Sequence, residues 1–173
     1  MPRSRMSFAP DVLGPVKRQK LPQGPEGLPE PQAILFACTS NSVRSVMAEA
    51  LAKAHFGPRI FIDSVGVRPV EVNPFVVEVM AEIGLDVSDH HAKSFDELED
   101  SSFDLIITLS PEAQHKAVQL THDMAADVEF WPALDPTVQT GGSREQQLMI
   151  YRELREALKA RIEERFGGSG GKL

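Results

Sequence analysis

The sequence has very little cysteine, since Cys38 is the only one among its 173 residues. A single thiol cannot form a disulfide framework within the chain, which favours a reducing compartment. Long apolar runs are also missing, because no stretch reaches the roughly 18 apolar residues that a membrane span needs. Residues 1–14 begin with basic residues but lack the apolar core of a secretion signal. We therefore expect a cytoplasmic protein that is not inserted in a membrane.

Positive charge is scarce as well. Lysine and arginine number 18 against 25 aspartates and glutamates, and the formal net charge is -7. A general nucleic-acid binder needs a basic face that neutralises phosphates, so we expect no nucleic acid as a partner. An anionic ligand would have to be held by a few focused cationic groups against this overall field.

Prolines are concentrated at the start of the chain, where they interrupt every apolar period. They are Pro2, Pro10, Pro15, Pro22, Pro25, Pro29 and Pro31. We predict that residues 1–31 form a proline-rich flexible arm, which is either a solvated tail or a segment that binds a partner. Residues 32–166 are predicted to form one domain, because a 42% hydrophobic content suffices for a sizeable core. Residues 167–173, GGSGGKL, are typical of a flexible tail or of the remnant of an added linker.

Within the domain, apolar strand patterns alternate with helix patterns. The strands are predicted at 33–38, 59–66, 103–109 and 127–131, and the helices at 45–57, 73–85, 111–120 and 144–166. Asn73 is the expected N-cap of the second helix, and Gly57 is the expected stop of the first. The last helix should bury one apolar face. That face consists of Leu148, Tyr151, Leu154, Leu158, Ile162 and Phe166.

This alternation predicts crossover connections and a mainly parallel sheet with helices on both faces. Ligands of such α/β folds collect at the carboxyl ends of the strands, near the point where the strand order reverses. Cys38 ends the first predicted strand and therefore lies where a ligand is expected.

The loop CTSNSVRS, residues 38–45, connects this strand to a helix. Backbone N–H groups at such a junction have no partner inside the helix and form a concave anion site. Small and hydroxylated residues let that backbone approach a ligand closely, and Arg44 adds a planar fork that matches two phosphate oxygens. The predicted phosphate-binding residues are Thr39, Ser40, Asn41, Ser42, Val43, Arg44 and Ser45.

Cys38 would lie at the floor of this anion site, where amides and a guanidinium favour thiolate over thiol. A thiolate in that place is an activated nucleophile, and Ser45 could donate a hydrogen bond to its sulfur. The alternative is a small buried hydrophobe, which is the usual role of a lone cysteine at a strand end. The spacing of Cys38 and Arg44, directly between a strand and a helix, favours the nucleophile.

Strand, loop and helix together resemble the low-molecular-weight protein tyrosine phosphatase family, whose superfamily also contains thiol-dependent arsenate reductases. The motif that carries the resemblance is Cys38, five residues, and then Arg44-Ser45. The resemblance covers residues 32–166 and implies a flavodoxin-like, doubly wound fold with three α/β/α layers and a four-stranded parallel sheet. It also implies catalytic roles for Cys38 and Arg44.

Asp135-Pro136, in the stretch WPALDPT, resembles the Asp-Pro that the family carries on a late loop. There the aspartic acid acts as a general acid, because an alkoxide or phenolate leaves poorly without a proton. An isolated Asp-Pro is more often an ordinary turn. The resemblance implies that Asp135 is the third catalytic residue.

Two further stretches resemble the family. DSVG at 63–66 is similar to its Asp-Ser-Ala-Gly, and GLDVSDHHAKSF at 84–95 is similar to a segment in which a histidine precedes Ala-Arg. They imply a network in which Asn41, Ser64 and His90 hold the loop in shape, with His90 near Asn41. An ordinary surface histidine is the alternative for His90.

The sequence also departs from the family pattern. Ser40 stands where the family usually has glycine, which would cost on the order of 1 kcal/mol if that position needs a positive φ. Val43 replaces a frequent second cysteine, and Thr137-Val138 replace a frequent Tyr-Tyr pair. Trp131 could line the cleft in their place.

These observations favour a phosphatase that acts on a phosphorylated protein, most simply at phosphotyrosine, or on a small phosphomonoester. The first alternative is an arsenate reductase that uses an external thiol such as glutathione or glutaredoxin, since the two relay cysteines of thioredoxin-coupled members are missing. The second is a non-catalytic phosphate-binding module. No metal and no cofactor is implied, because Arg44 and amides supply the positive charge. The sequence does not indicate an oligomeric state.

Overall fold

The computed structural model of the protein describes residues 30–98, 102–123, 125–139 and 141–167. Its strands are β1 (Ala33–Cys38), β2 (Phe61–Gly66), β3 (Leu105–Thr108) and β4 (Asp127–Phe130). Its α-helices are α1 (Arg44–Phe56), α2 (Pro74–Ala81), α3 (Pro111–Leu120) and α4 (Arg144–Phe166). Single turns of 3-10 helix lie at Gly57–Arg59, Phe95–Glu97, Thr121–Asp123 and Pro136–Val138.

The four strands form one parallel sheet in the order β2-β1-β3-β4. Alternate side chains of β1 enter two separate cores, as the period of a strand requires. Ile34, Phe36 and Cys38 pack with α1, α2 and α4, whereas Leu35 and Ala37 pack on the opposite face with α3. The predicted three-layer α/β/α fold with a four-stranded parallel sheet is therefore confirmed.

The strand order reverses at β1, since the chain passes from β1 to β2 on one side and then to β3 on the other. The carboxyl ends of β1 and β3 therefore border the crevice in which ligands of doubly wound sheets bind. Cys38, the last residue of β1, stands at that position.

Local signals account for most helix limits. The side chain of Asn73 accepts a hydrogen bond from the Phe75 N–H at 2.8 Å, as expected of an N-cap. Gly57 follows α1 with a φ of 71°, a conformation that favours glycine. The second helix is shorter than predicted, because it ends at Ala81 and the chain then turns through Gly84, whose φ is 82°.

The last helix follows its predicted pattern, since all six residues of the expected apolar face are buried. The suggestion that Trp131 could line the cleft is wrong. Its side chain is 3% exposed and packs against the rings of Phe36 and Phe166. Although Trp131 directly follows β4, its ring lies in the core that also contains the apolar face of α4.

The proline-rich arm lies almost wholly outside the described residues, and its limit at residue 31 stays a prediction. Glu30 is ion-paired with Arg59 at 2.8 Å, and Pro31 is buried. The tail is likewise outside the described part of the chain beyond Gly167. No helix in the described part is long and apolar enough to cross a membrane.

Candidate active site

Backbone hydrogen bonds from the segment 67–73 hold one side of the loop 38–45 in place. That segment donates backbone hydrogen bonds of 2.8–3.2 Å to the carbonyls of Cys38, Thr39, Ser40 and Ser42. Because a trans peptide points its carbonyl and the following N–H in opposite directions, the next amides face the hollow of the loop. The Asn41 N–H does so, since it donates to the Cys38 sulfur at 3.2 Å. That phosphate binds to these amides stays a prediction, and the direction of the Asn41 N–H supports it.

Asn41 has a φ of 51° and is the only non-glycine residue with a positive φ in the described part of the chain. Asparagine tolerates this conformation better than most residues. The conformational cost considered for Ser40 does not arise, because Ser40 does not adopt a positive φ. The strained position is the next one, where the residue present is well suited to it.

Gly66 allows the loop to lie close to β2. A Cβ atom at this position would lie 2.6 Å from the Asn41 nitrogen and 2.7 Å from the Ser40 carbonyl carbon. Both are backbone atoms, which cannot move aside as a flexible side chain can. The last residue of the DSVG stretch therefore has to be glycine for the loop to keep its place.

Cys38 is fully buried, and its sulfur is not simply packed among hydrophobes. Besides the Asn41 N–H, the hydroxyl of Ser45 contacts it at 3.0 Å. The contact predicted between Ser45 and the sulfur is confirmed. Two donors around one sulfur suit a thiolate, which is the form that acts as a nucleophile.

The side chain of Asn41 organises these contacts. Its Oδ1 accepts a hydrogen bond from the Lys93 N–H at 3.0 Å, which fixes the orientation of the amide. Its Nδ2 donates to Ser45 Oγ at 2.8 Å and to Ser64 Oγ at 2.9 Å. Since Ser45 accepts from Asn41, its single hydrogen can point at the Cys38 sulfur at 3.0 Å, which is nearer than its other acceptor, the Val65 carbonyl at 3.5 Å.

His90 lies beside Asn41, as predicted, with its Nε2 3.1 Å from Asn41 Oδ1. An amide oxygen can only accept, so Nε2 carries the proton. Burial lowers the pKa of His90, and the nearby carboxylate of Glu49 opposes that shift. The neighbouring His91 is exposed.

Glu49 is a member of this network that sequence reasoning missed. Its Oε1 accepts a hydrogen bond of 2.5 Å from Ser64 Oγ and lies 3.9 Å from His90 Nδ1. The side chain is 13% exposed although it carries a charge. Glu49 follows Ser45 by four residues on α1, and residues at that spacing share one helix face. That spacing was the signal that could have revealed it.

Arg44 and Asp135 meet at the mouth of the loop. The Arg44 side chain is 8% exposed, donates to the Ala133 carbonyl at 3.2 Å and lies 3.5 Å from Asp135 Oδ2. Asp135 is 34% exposed, and its other oxygen accepts from the N–H and the hydroxyl of Thr137 at 3.0 and 2.7 Å. One carboxylate oxygen is thus held by the turn, and the other faces the guanidinium.

The remaining loop side chains point elsewhere. The Thr39 hydroxyl donates to Ser110 Oγ at 3.0 Å, the Ser42 hydroxyl donates to the Glu71 carbonyl at 2.7 Å, and Val43 is buried in the core. Their predicted part in phosphate binding can therefore involve only their backbone amides. Within residues 30–98, 102–123, 125–139 and 141–167, no group of three or more His, Cys, Asp or Glu side chains could hold a metal ion.

Comparison with known proteins agrees with this geometry. The sequence model described as low molecular weight phosphotyrosine protein phosphatase matches residues 33–164. An arsenate reductase of Bacillus licheniformis is 32% identical over 139 residues, which cover 80% of this chain and 97% of that protein. The solved low molecular weight protein tyrosine phosphatase of T. tengcongensis is 26% identical at a TM-score of 0.64, with 77% and 96% of the two chains covered. A solved arsenate reductase in the phosphate binding state is also 26% identical, at a TM-score of 0.59 and coverages of 77% and 95%.

Proposed function

The chain belongs to the low molecular weight phosphotyrosine protein phosphatase family, and from this premise we propose that it hydrolyses phosphate monoesters through Cys38. The expected substrate is phosphotyrosine in a protein. The observation that carries the proposal is the 3.5 Å approach of Asp135 to Arg44, because it brings an acid from a late loop to the mouth of the cysteine loop.

In the first step the Cys38 thiolate attacks the phosphorus atom in line with the leaving oxygen. The loop amides and Arg44 stabilise the charge on the three non-bridging oxygens of the phosphoryl group that is transferred. Asp135 gives its proton to the leaving oxygen as the P–O bond breaks. The products of this step are a free alcohol or phenol and a cysteinyl-phosphate.

In the second step water attacks the cysteinyl-phosphate. Asp135, now a carboxylate, takes a proton from that water, and the S–P bond breaks to return the Cys38 thiolate. The Ser45 hydroxyl, which lies 3.0 Å from the Cys38 sulfur, donates a hydrogen bond to the departing thiolate. Inorganic phosphate then leaves, and Asp135 holds the proton that the next cycle needs.

The surface beside Asp135 supports a peptide substrate with an apolar leaving group. Leu134 and Val138 flank the acid and are 60% and 70% exposed. Val70, which is bonded through its N–H to the Ser40 carbonyl, is 55% exposed on the other side of the loop. These aliphatic side chains provide apolar surface on which the ring of a phosphotyrosine could pack.

An aryl phosphate assay tests the proposal. Purified protein should hydrolyse para-nitrophenyl phosphate without added metal, vanadate should inhibit it, and Cys38→Ser should abolish turnover. Activity that persists in Cys38→Ser would show that Cys38 is not the nucleophile. Vanadate binding without turnover by the unaltered protein would instead support a phosphate-binding module.

A second candidate is reduction of arsenate, which the names of the curated relatives favour. Cys38 would displace water from arsenate to form a sulfur–arsenic bond, and an external thiol would then attack that sulfur. Arsenite leaves with the electron pair of the S–As bond, and the resulting mixed disulfide is reduced by a further thiol. The external thiol is needed because Cys38 is the only cysteine of the chain. Oxidation of NADPH in an assay with arsenate, glutathione, glutaredoxin and glutathione reductase measures this activity.

A further inference from the structure

An arginine and a glutamate at the mouth of the loop are used by no step of the proposed reaction. Arg68 donates hydrogen bonds of 2.7 and 3.0 Å to the two carboxylate oxygens of Glu112. Their side chains are 65% and 48% exposed. Together they form a forked ion pair in contact with solvent.

Backbone and hydroxyl contacts locate this pair beside the anion site. The Arg68 N–H donates to the Thr39 carbonyl at 2.8 Å, and Thr39 directly follows Cys38. Glu112 lies in the first turn of α3, two residues after Ser110, whose hydroxyl oxygen accepts from Thr39. The ion pair therefore passes along the outer side of Thr39, from the segment 67–73 to α3.

Glu112 bears a negative charge next to the loop residue Thr39. Its pKa is lowered, chiefly by the hydrogen bonds from Arg68 and to a smaller degree by the Thr39 hydroxyl and the charge of Arg44. Without Arg68 this carboxylate would repel an arriving oxyanion, in a chain whose net charge is already -7. Arg68 thus neutralises an unfavourable charge at the entrance.

We propose that Arg68 is a specificity-determining residue that binds an acidic group of the substrate, and that Glu112 holds its guanidinium in position until the substrate arrives. An arginine fork binds a substrate carboxylate with the same two-point geometry as it binds Glu112. The exchange gives up an exposed ion pair, which contributes little net free energy. The freed Glu112 carboxylate still opposes the substrate's charge, so removing that charge should increase the preference for an acidic substrate. The inference rests on the proposed function and names its substrate class, which is phosphotyrosine peptides with aspartate or glutamate beside the phosphorylated residue.

Two synthetic phosphotyrosine peptides test this inference, one with aspartate and glutamate flanks and one with alanine flanks. The variants are Arg68→Gln and Glu112→Gln. The matched control is Arg59→Gln, because the exposed pair of Arg59 with Glu30 lies at the other end of β2. The measured quantity is the ratio of kcat/KM for the acidic peptide to that for the neutral peptide.

We expect Arg68→Gln to lower this ratio about ten-fold, mainly through KM, because one charge-assisted contact is lost. Glu112→Gln should raise it about three-fold, since the guanidinium is released and a like charge is removed. Arg59→Gln should leave the ratio within about two-fold. If the ion pair is merely structural, Arg68→Gln and Glu112→Gln should each change kcat/KM for both peptides by the same factor and in the same direction. The ratio would then stay constant, and that result would overturn the inference.

Binding separates this inference from the proposed function. In a Cys38→Ser background, calorimetry gives Kd for both peptides without turnover. If the unaltered protein does not hydrolyse either peptide, the proposed function fails, while an Arg68-dependent preference for the acidic peptide in Kd would still support the subsite. Equal binding of the two peptides, or absence of binding to both, overturns the subsite, whereas the proposed function is judged by hydrolysis alone.

Discussion

The hydroxyl of Ser64 donates a hydrogen bond of 2.5 Å to the carboxylate of Glu49. Because a serine has only one hydrogen to donate, its oxygen must then accept from Asn41, which it does at 2.9 Å. The second Asn41 hydrogen goes to Ser45, whose own hydrogen remains for the Cys38 sulfur. Glu49 therefore sets the direction of the Ser64–Asn41 hydrogen bond and, together with the Lys93 N–H that orients the Asn41 amide, supports the Ser45 contact to the nucleophile without contacting the nucleophile itself.

Replacing Glu49 should consequently impair the loop through Ser64. We expect Glu49→Ala to lower kcat with para-nitrophenyl phosphate about ten-fold and to change KM much less, because a hydrogen bond to a charged group contributes about 1.5–3 kcal/mol. In a Ser64→Ala background the same change should have little further effect, since the two residues act in series. Lys53→Met, which removes only the exposed ion-pair partner of Glu49, is the control and should retain near-normal kcat. Additive effects in the double variant would contradict this role.

Gly66→Ala should displace the loop from β2. Its Cβ would meet the Asn41 nitrogen at 2.6 Å, and overpacking of this kind costs about 1–3 kcal/mol. Gly57→Ala is the matched control, because its φ of 71° strains alanine while its Cβ would have no atom within 4 Å. Both variants should lower the free energy of unfolding in urea, but only Gly66→Ala should lose activity per folded molecule. Normal activity of folded Gly66→Ala would show that the loop tolerates a shift.

His55 should make stability depend on pH. The side chain is 5% exposed, neither ring nitrogen has a hydrogen-bond partner in the described part of the chain, and burial lowers the pKa of His55. Glu163 and Glu30 oppose that shift and Arg59 adds to it. A group whose folded-state pKa is depressed binds more protons when unfolded, so stability should fall as pH drops below about 6.5.

The measurement is the free energy of unfolding at pH 7.5 and pH 5.5 for the original protein and for His55→Leu. The loss of stability between the two pH values should be smaller in the variant, because His90 and the carboxylates contribute equally to both proteins. An identical pH dependence would mean that His55 takes up a proton without cost in the folded state.

Asp135→Asn should affect poor leaving groups most. An amide cannot supply a proton, so hydrolysis of an alkyl phosphate should fall about 10²-fold or more, within the usual range for general acids. Hydrolysis of para-nitrophenyl phosphate should fall less, since nitrophenolate leaves readily without a proton. A series of aryl phosphates of graded leaving-group pKa checks this expectation. Equal losses across the series would exclude the general-acid role, and the Arg44 contact of Asp135 would then be structural.

The order of strands and helices could be predicted because it depends on local patterns. Apolar runs of four to six residues, the cap at Asn73 and the glycine after α1 act on their immediate neighbours, and each appears in the structure where it was expected. The anion loop was predictable for the same reason, since Cys38, Arg44 and the amides between them lie within seven residues. The early end of α2 was missed because Gly84 reverses the chain within an otherwise helical pattern.

Contacts between distant segments could not be predicted from periodicity. The approach of Asp135 to Arg44, and that of His90 to Asn41, came from a resemblance rather than from spacing. The position of Trp131 in the sequence suggested that it could line the cleft. Its ring instead packs in the core together with the apolar face of α4. The positive φ belongs to Asn41 and not to Ser40, because the loop bends where β2 presses against it at Gly66.

The alternating fold, the position of the loop between β1 and α1 and the restriction to a single thiol all follow from residue type and short-range spacing. The direction of the Asn41 amide, the place of Glu49 in the network and the pairing of Arg68 with Glu112 beside Thr39 depend on tertiary contacts. These are choices between nearly equal local conformations, and they are settled by hydrogen-bond partners that lie tens of residues away along the chain.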